Sequence, residues 1–108
     1  MKQFTQPRIE CTTVADVPGG WSCTVLVQAE DRADSVSEHT VRLAWCDHDH
    51  WCGGRLAPGV MIENLLRTLV ALRKGTTEHH IPTPLPPAFD AARARRWHHD
   101  IDQEIRVA

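Results

Sequence analysis

Residues 58–75 read PGVMIENLLRTLVALRKG, and this stretch decides the layered organisation that we predict for the chain. Pro58 suits the first turn of a helix, where its missing N–H group costs no hydrogen bond. Apolar side chains then recur at helical spacing and form one stripe: Val60, Ile62, Leu65, Leu66, Leu69 and Leu72. Gly75 suits the position just past the last turn. The pattern therefore predicts an amphipathic helix over 58–74 that must cover an apolar surface.

Upstream of this helix the apolar pattern alternates instead. Every second residue is apolar in one run, which predicts a half-buried strand: Trp21, Cys23, Val25 and Val27. The same alternation predicts one strand before it and one after it: Ile9, Cys11 and Thr13, then Val41, Leu43 and Trp45. Because the connections between these runs are short, we expect an antiparallel three-stranded meander with one apolar face.

Downstream of the helix, residues 76–87 hold four prolines and predict an extended connector. Asp90 is a suitable N-cap for a last helix. This helix would bury Phe89, Trp97, Ile101 and Ile105, and residues 98–100 are a possible interruption that would divide it in two. The sequence thus predicts a single α+β domain over 1–108, in the order β-β-β-α-α, with two helices packed on one face of the sheet. Residues 1–5 are expected to form a loose N-terminus.

Composition sets limits on function. The chain has 108 residues, of which 42% are hydrophobic and 24% charged, and its formal net charge is −2. That balance provides no basic field for nucleic acid or an anionic membrane. No apolar run approaches the length of a membrane span, and residues 1–10 lack the apolar core of a signal peptide. We therefore expect a cytoplasmic protein with reduced cysteines and no membrane partner.

One segment, CDHDHWCGG at 46–54, has the residue types of a metal site. Zinc prefers four nitrogen and sulfur ligands, and this segment offers four: Cys46, His48, His50 and Cys52. Their spacing is unusual, because structural zinc sites bring together two short pairs from separate turns. The alternative is a short capped helical turn, with Asp47 as its N-cap and Gly53-Gly54 at its end. In that case Trp51 would enter the core beside Trp45, and the histidines would face solvent.

Other features carry weaker functional signals. A basic cluster of Arg93, Arg95 and Arg96 beside Trp97 is a remote candidate for binding nucleic acid, which the net charge disfavours. The sequence contains no serine on a glycine elbow and no glycine-rich phosphate loop. These observations favour a protein that is not an enzyme.

Four short segments follow one another along the chain: His39-Thr40-Val41, Gly53-Gly54-Arg55, Ala57-Pro58 and Phe89-Asp90. Their order resembles that of a family of short prokaryotic proteins of unknown function, and the resemblance covers about Trp21 to Ile105. It implies a fold and no activity. The chain departs from the family pattern at 47–52, in its longer proline connector and at His98-His99.

We therefore expect a small interaction or regulatory module. A sheet covered on one face leaves its other face and its edges to be managed, and self-association is a common solution. A homodimer with no cofactor is the leading expectation. Zinc binding through Cys46, His48, His50 and Cys52 is the alternative hypothesis.

Overall fold

A computed structural model describes residues 8–28, 36–75, 81, 85–98 and 100–105. It confirms the α+β class and shows a four-stranded sheet in the order β1-β2-β3-β4. The strands are β1 (Arg8–Val17), β2 (Gly20–Gln28), β3 (Val36–Ala44) and β4 (Ala88–Asp90). The helices are α1 (Trp45–Cys52), α2 (Pro58–Gly75), α3 (Ala94–Trp97) and α4 (Ile101–Glu104), with a 3₁₀ turn at Ala91–Arg93.

The first three strands form the antiparallel meander that the alternation predicts. β1 and β2 are joined by a tight turn in which Gly19 has a φ of 82°, a conformation that glycine adopts without strain. Cys23, Val25, Val41 and Leu43 are fully buried on one face of this sheet, which we call the inner face. The outer face carries the intervening residues of the same strands, including Ser22, Thr24, Thr40 and Arg42.

Two details of the predicted stripes are wrong. The register of β1 against β2 shifts between Cys11 and Thr13, so Val14 takes the place opposite Cys23 that an unbroken alternation would have given to Thr13. Trp45 does not continue the stripe of β3, because it begins α1 and its side chain is 58% exposed. Its backbone N–H donates to the Gly19 carbonyl at 3.0 Å, where the chain leaves the sheet.

Helix α2 begins at Pro58, as predicted. Its stripe of aliphatic side chains packs against the inner face of the sheet. The residues of α2 that are buried are Met61, Ile62, Leu65, Leu66, Leu69 and Val70. Val60, which the predicted stripe included, is instead 42% exposed. Within the described residues, no helix has the length and apolar character needed to cross a membrane.

The C-terminal part differs most from the prediction of one further helix. Phe89 lies in β4, which pairs with β3 in parallel and makes the sheet mixed, and Asp90 makes no side-chain capping bond. The rest of the segment is broken into single turns, and the break falls at His98, whose backbone is extended. Phe89, Trp97, Ile101 and Ile105 are nevertheless all buried, as predicted. A three-residue strand is too short to leave a periodic pattern in a sequence.

Several predictions fall on residues that lie outside the described ranges. These are the loose N-terminus at 1–5 and most of the proline connector at 76–87. The positions concerned in the connector are 76–80 and 82–84.

Candidate functional site: an arginine-lined groove

The four predicted zinc ligands all lie on α1, and the geometry of the helix separates them into two pairs. Residues four apart share a side of a helix, whereas residues two apart lie on nearly opposite sides. Cys46 and His50 are exposed, while Cys52 is buried and His48 half-buried on the other side. Cys52 donates to the His48 carbonyl at 3.2 Å. In the described part of the chain, no group of three or more His, Cys, Asp or Glu side chains is placed to hold a metal ion.

His48 is already engaged by the protein. Its Nε2 lies 2.6 Å from the Leu56 carbonyl, and because a carbonyl oxygen only accepts, Nε2 carries the proton. Its ring also meets Trp21 edge-on, with the centroids 4.9 Å apart. The C-terminal half of the predicted capped turn is confirmed, with Gly53 as a left-handed C-cap, but His48 does not face solvent as predicted. Zinc binding by these residues stays an untested prediction.

Asp47 differs from its predicted role as an N-cap. Helix α1 begins two residues earlier, at Trp45, and Ala44 occupies the N-cap position without a side-chain bond. Asp47 is buried in the first turn, and its Oδ1 lies 3.0 Å from the Nη1 of Arg95. The carboxylate therefore joins α1 to α3 instead of capping its own helix.

Arg95 is the centre of a cluster that holds the short C-terminal helices against α1. Its Nε donates to Asp102 at 2.8 Å, and its guanidinium carbon lies 4.9 Å from the centre of the Trp51 ring. Trp51 is fully buried and donates its indole N–H to the same carboxylate at 2.7 Å. Burial alone would raise the pKa of Asp102, but the hydrogen bonds from Trp51 and Arg95 and the charge of Arg95 lower it below its usual value.

The basic cluster predicted at 93–96 is therefore divided by the fold. Arg95 is turned inward and paired, whereas Arg93 and Arg96 point to the opposite side and line a groove with Arg42. No hydrogen bond or salt bridge is formed by these last three guanidinium groups within the described ranges. The structure thus adds Arg42 to the candidate site and removes Arg95 from it.

The groove, which we call the arginine groove, lies on the outer face of the sheet beside β4. It has a volume of about 610 Å³, opens to solvent, and is lined by Ser22, Thr40, Arg42, Ala88, Phe89, Asp90, Ala92, Arg93 and Arg96. Ser22 lies opposite Arg42 across the β2–β3 ladder, and Arg42 lies opposite Asp90 across the β3–β4 ladder. Its lining therefore combines three positive charges, one negative charge and two hydroxyl groups.

His39 fixes the position of β4 at one wall of this groove. Its side chain is only 3% exposed on the inner face of β3, and its Nδ1 lies 2.7 Å from the Pro86 carbonyl. Nδ1 must donate to that carbonyl, so in the neutral ring Nε2 accepts from the Ser37 hydroxyl at 2.7 Å. One residue further on, the Thr40 N–H donates to the Pro87 carbonyl at 2.8 Å. These bonds hold the chain that enters β4 firmly against β3.

The thiols of the inner face are poor candidates for chemistry. Burial raises the pKa of Cys23 to about 12, and the neighbouring Cys11 adds to the shift. Burial also raises the pKa of Cys11. Both thiols therefore stay protonated near neutral pH, where a thiolate would be needed for nucleophilic attack or metal binding.

Comparison with known proteins adds no relative. No protein-family description, no curated protein and no solved structure matches the chain. We therefore infer function from the residues of the arginine groove alone.

Three polar strand residues of the groove were missed by sequence reasoning: Ser22, Thr40 and Arg42. They stand at the polar positions of the alternating runs, where a sequence shows only that they face away from the core. Their proximity to Arg93 and Arg96 depends on β4, which brings the C-terminal segment back to the sheet.

Proposed function

We propose that this protein is a binding module whose arginine groove takes up an acidic segment of a partner protein. The observation that carries the proposal is the convergence of Arg42, Arg93 and Arg96 in one open groove, without salt bridges among the described residues. Three guanidinium groups so close together repel one another, and a negatively charged ligand relieves that repulsion. Guanidinium groups also form paired hydrogen bonds with carboxylates.

The chemistry of the groove favours a peptide over nucleic acid. Proteins that bind single strands stack bases on exposed aromatic rings, and the aromatic residue of this groove, Phe89, is buried. Asp90 lies in the same groove and would repel a backbone that carries a phosphate at every nucleotide, whereas a peptide can place an uncharged hydrogen-bonding residue beside Asp90 and its carboxylates beside the arginines.

The structure also guides the choice of edge. At the free edge of β1, the Cys11 N–H donates to Glu63 at 2.8 Å and the Ile9 carbonyl accepts from Arg67 at 3.2 Å. Two side chains of α2 thus occupy the backbone groups that another strand would need there. We therefore assign partner binding to the β4 side of the sheet. The predicted homodimer remains a separate expectation, which native mass spectrometry tests together with bound zinc.

The test is binding of a fluorescently labelled octapeptide with glutamate at alternating positions, compared with the same peptide carrying glutamine instead. We expect the glutamate peptide to bind and its affinity to fall with added salt. R42A, R93A and R96A should each weaken binding by roughly 3- to 10-fold, and the triple variant should abolish it.

Arg8 offers a matched control, because it is an exposed arginine of the same sheet at the opposite end of the strands from Arg42. R8A should bind as the unmodified protein does. Equal binding of both peptides, or equal loss in R8A and the groove variants, would overturn the proposal.

A further inference from the structure

The backbone of β4 leaves hydrogen-bonding groups directed away from the sheet. β4 pairs in parallel with β3, with Thr40 opposite Ala88 and Arg42 opposite Asp90, and the Thr40 N–H donates to the Pro87 carbonyl. In a parallel ladder, groups of alternate residues point to opposite sides. The Phe89 N–H and C=O therefore face β3, while the N–H and C=O of Ala88 and the N–H of Asp90 face the other edge of β4. No described strand pairs with that edge, which we call the open edge.

These outward groups lie next to the arginine groove. Ala88 and Asp90 are both exposed residues, and both line the groove. The two groups of Ala88 are not hydrogen-bonded to any other described residue. An unpaired strand edge beside a charged groove provides both parts of peptide recognition, backbone pairing for affinity and side-chain contacts for specificity.

We propose that the acidic segment binds in extended form, as an added strand paired with the open edge of β4. This inference rests on the proposed function, and it specifies how the same groove recognises its partner. Side chains of an added strand alternate between the two faces of the sheet, so every second residue points to the outer face. Carboxylates at those positions meet the side of the sheet that carries Arg42, Arg93 and Arg96.

The partner is therefore an extended segment with acidic residues at alternating positions. The other residues of the segment point to the inner side, where the sheet is covered by the core. Small or apolar side chains suit those positions, because a charged side chain there would lose its contact with water. A peptide with the same number of acidic residues in one consecutive run should bind less well, because half of its charges would face away from the arginines. This pattern separates strand addition from simple attraction between opposite charges.

The direct measurement is amide hydrogen exchange by NMR on the full chain, with and without the alternating glutamate peptide. We expect the amides of Ala88 and Asp90 to exchange at least about tenfold more slowly in the complex. The Phe89 amide already pairs with β3 and serves as the internal control, with little change. A complex in which Ala88 and Asp90 exchange as fast as in the free protein would overturn strand addition.

Two further experiments test strand addition without measuring hydrogen exchange. Ala88→Pro removes an outward N–H without removing a ladder donor, and it should weaken peptide binding by about tenfold. Peptides N-methylated on one set of alternating amides should lose binding, whereas methylation of the other set should be tolerated, because only one set faces β4.

The outcomes also separate this inference from the proposed function. If the arginine variants weaken binding while the Ala88 and Asp90 amides stay unprotected, the groove binds acidic peptides without strand addition. If neither glutamate peptide binds, with alternating or with consecutive residues, the proposed function itself is wrong.

Discussion

The two faces of the sheet differ in what they contact, although the same strands build both. On the inner face, Leu43 and Val41 are fully buried beneath α2. On the outer face, their neighbours Thr40 and Arg42 are exposed. Burial of apolar surface stabilises the fold, whereas exposed polar side chains contribute little to it. The inner face therefore accounts for most of the stability, and the outer face is the one on which we propose that a partner binds.

Leucine substitutions on each face give the largest expected difference. Leu43 is fully buried on the inner face of β3, and Leu26 is half-buried on the outer face of β2. L43A should lower the free energy of unfolding by about 2–5 kcal/mol, because it leaves a cavity in the core. L26A should lower it by less than about 1 kcal/mol.

Urea unfolding of both variants measures this difference directly. An equal loss in L43A and L26A would contradict the comparison. It would mean that the outer face is covered in solution, as in the predicted homodimer. Repeating the measurement at two protein concentrations would identify that case, because the stability of a dimer depends on concentration.

Two arginines that are neighbours in sequence sharpen the comparison further. Arg95 bridges Asp47 and Asp102 over Trp51, whereas Arg96 lines the groove. R95A should reduce the free energy of unfolding by roughly 1–3 kcal/mol, an amount limited by the partial exposure of the pair. R96A should change it by less than about 0.5 kcal/mol and instead weaken peptide binding. Thermal unfolding of each variant, run beside the peptide titration, would contradict this division if the two arginines behaved alike.

The smallest effect is a pH dependence that arises from Asp102. Its pKa is lowered in the folded protein, so its contribution to stability is present above the unfolded pKa of about 3.9 and is lost as the pH falls through the lower folded value. The unmodified protein should therefore be more stable than D102N at pH 7, and the difference should shrink below about pH 4. Melting temperatures of both proteins from pH 7 to pH 3 check the sign, and a difference that grows on acidification would contradict it.

Much of the inner layer was predictable from sequence, because periodic burial leaves a periodic pattern. The alternation of Cys23 and Val25 predicted β2, and the stripe around Leu65 predicted α2 from Pro58 onward. The β-bulge after Cys11 was not predictable. A bulge needs no particular residue type, so the sequence of β1 does not mark its position.

The candidate site was much less predictable. Arg93 and Arg96 were singled out, but Arg95 between them was assigned the same role although it is paired inside the helical layer. A sequence does not show which side of a single helical turn faces the core. Arg42 was missed because its proximity to Arg93 and Arg96 depends on the pairing of β3 with β4, two segments far apart in the chain.

That distant pairing has a consequence for how the molecule folds. The β1–β2 hairpin joins residues that are close in sequence, such as Val17 and Gly20, and so closes only a short loop. The β3–β4 ladder joins Thr40 to Ala88 and must wait until the whole of α2 has been accommodated between them. Long loops are slower to close than short ones. We therefore expect the hairpins to form first and the β4 side last, so that a chain emerging from the ribosome acquires the proposed binding surface only when its folding is complete.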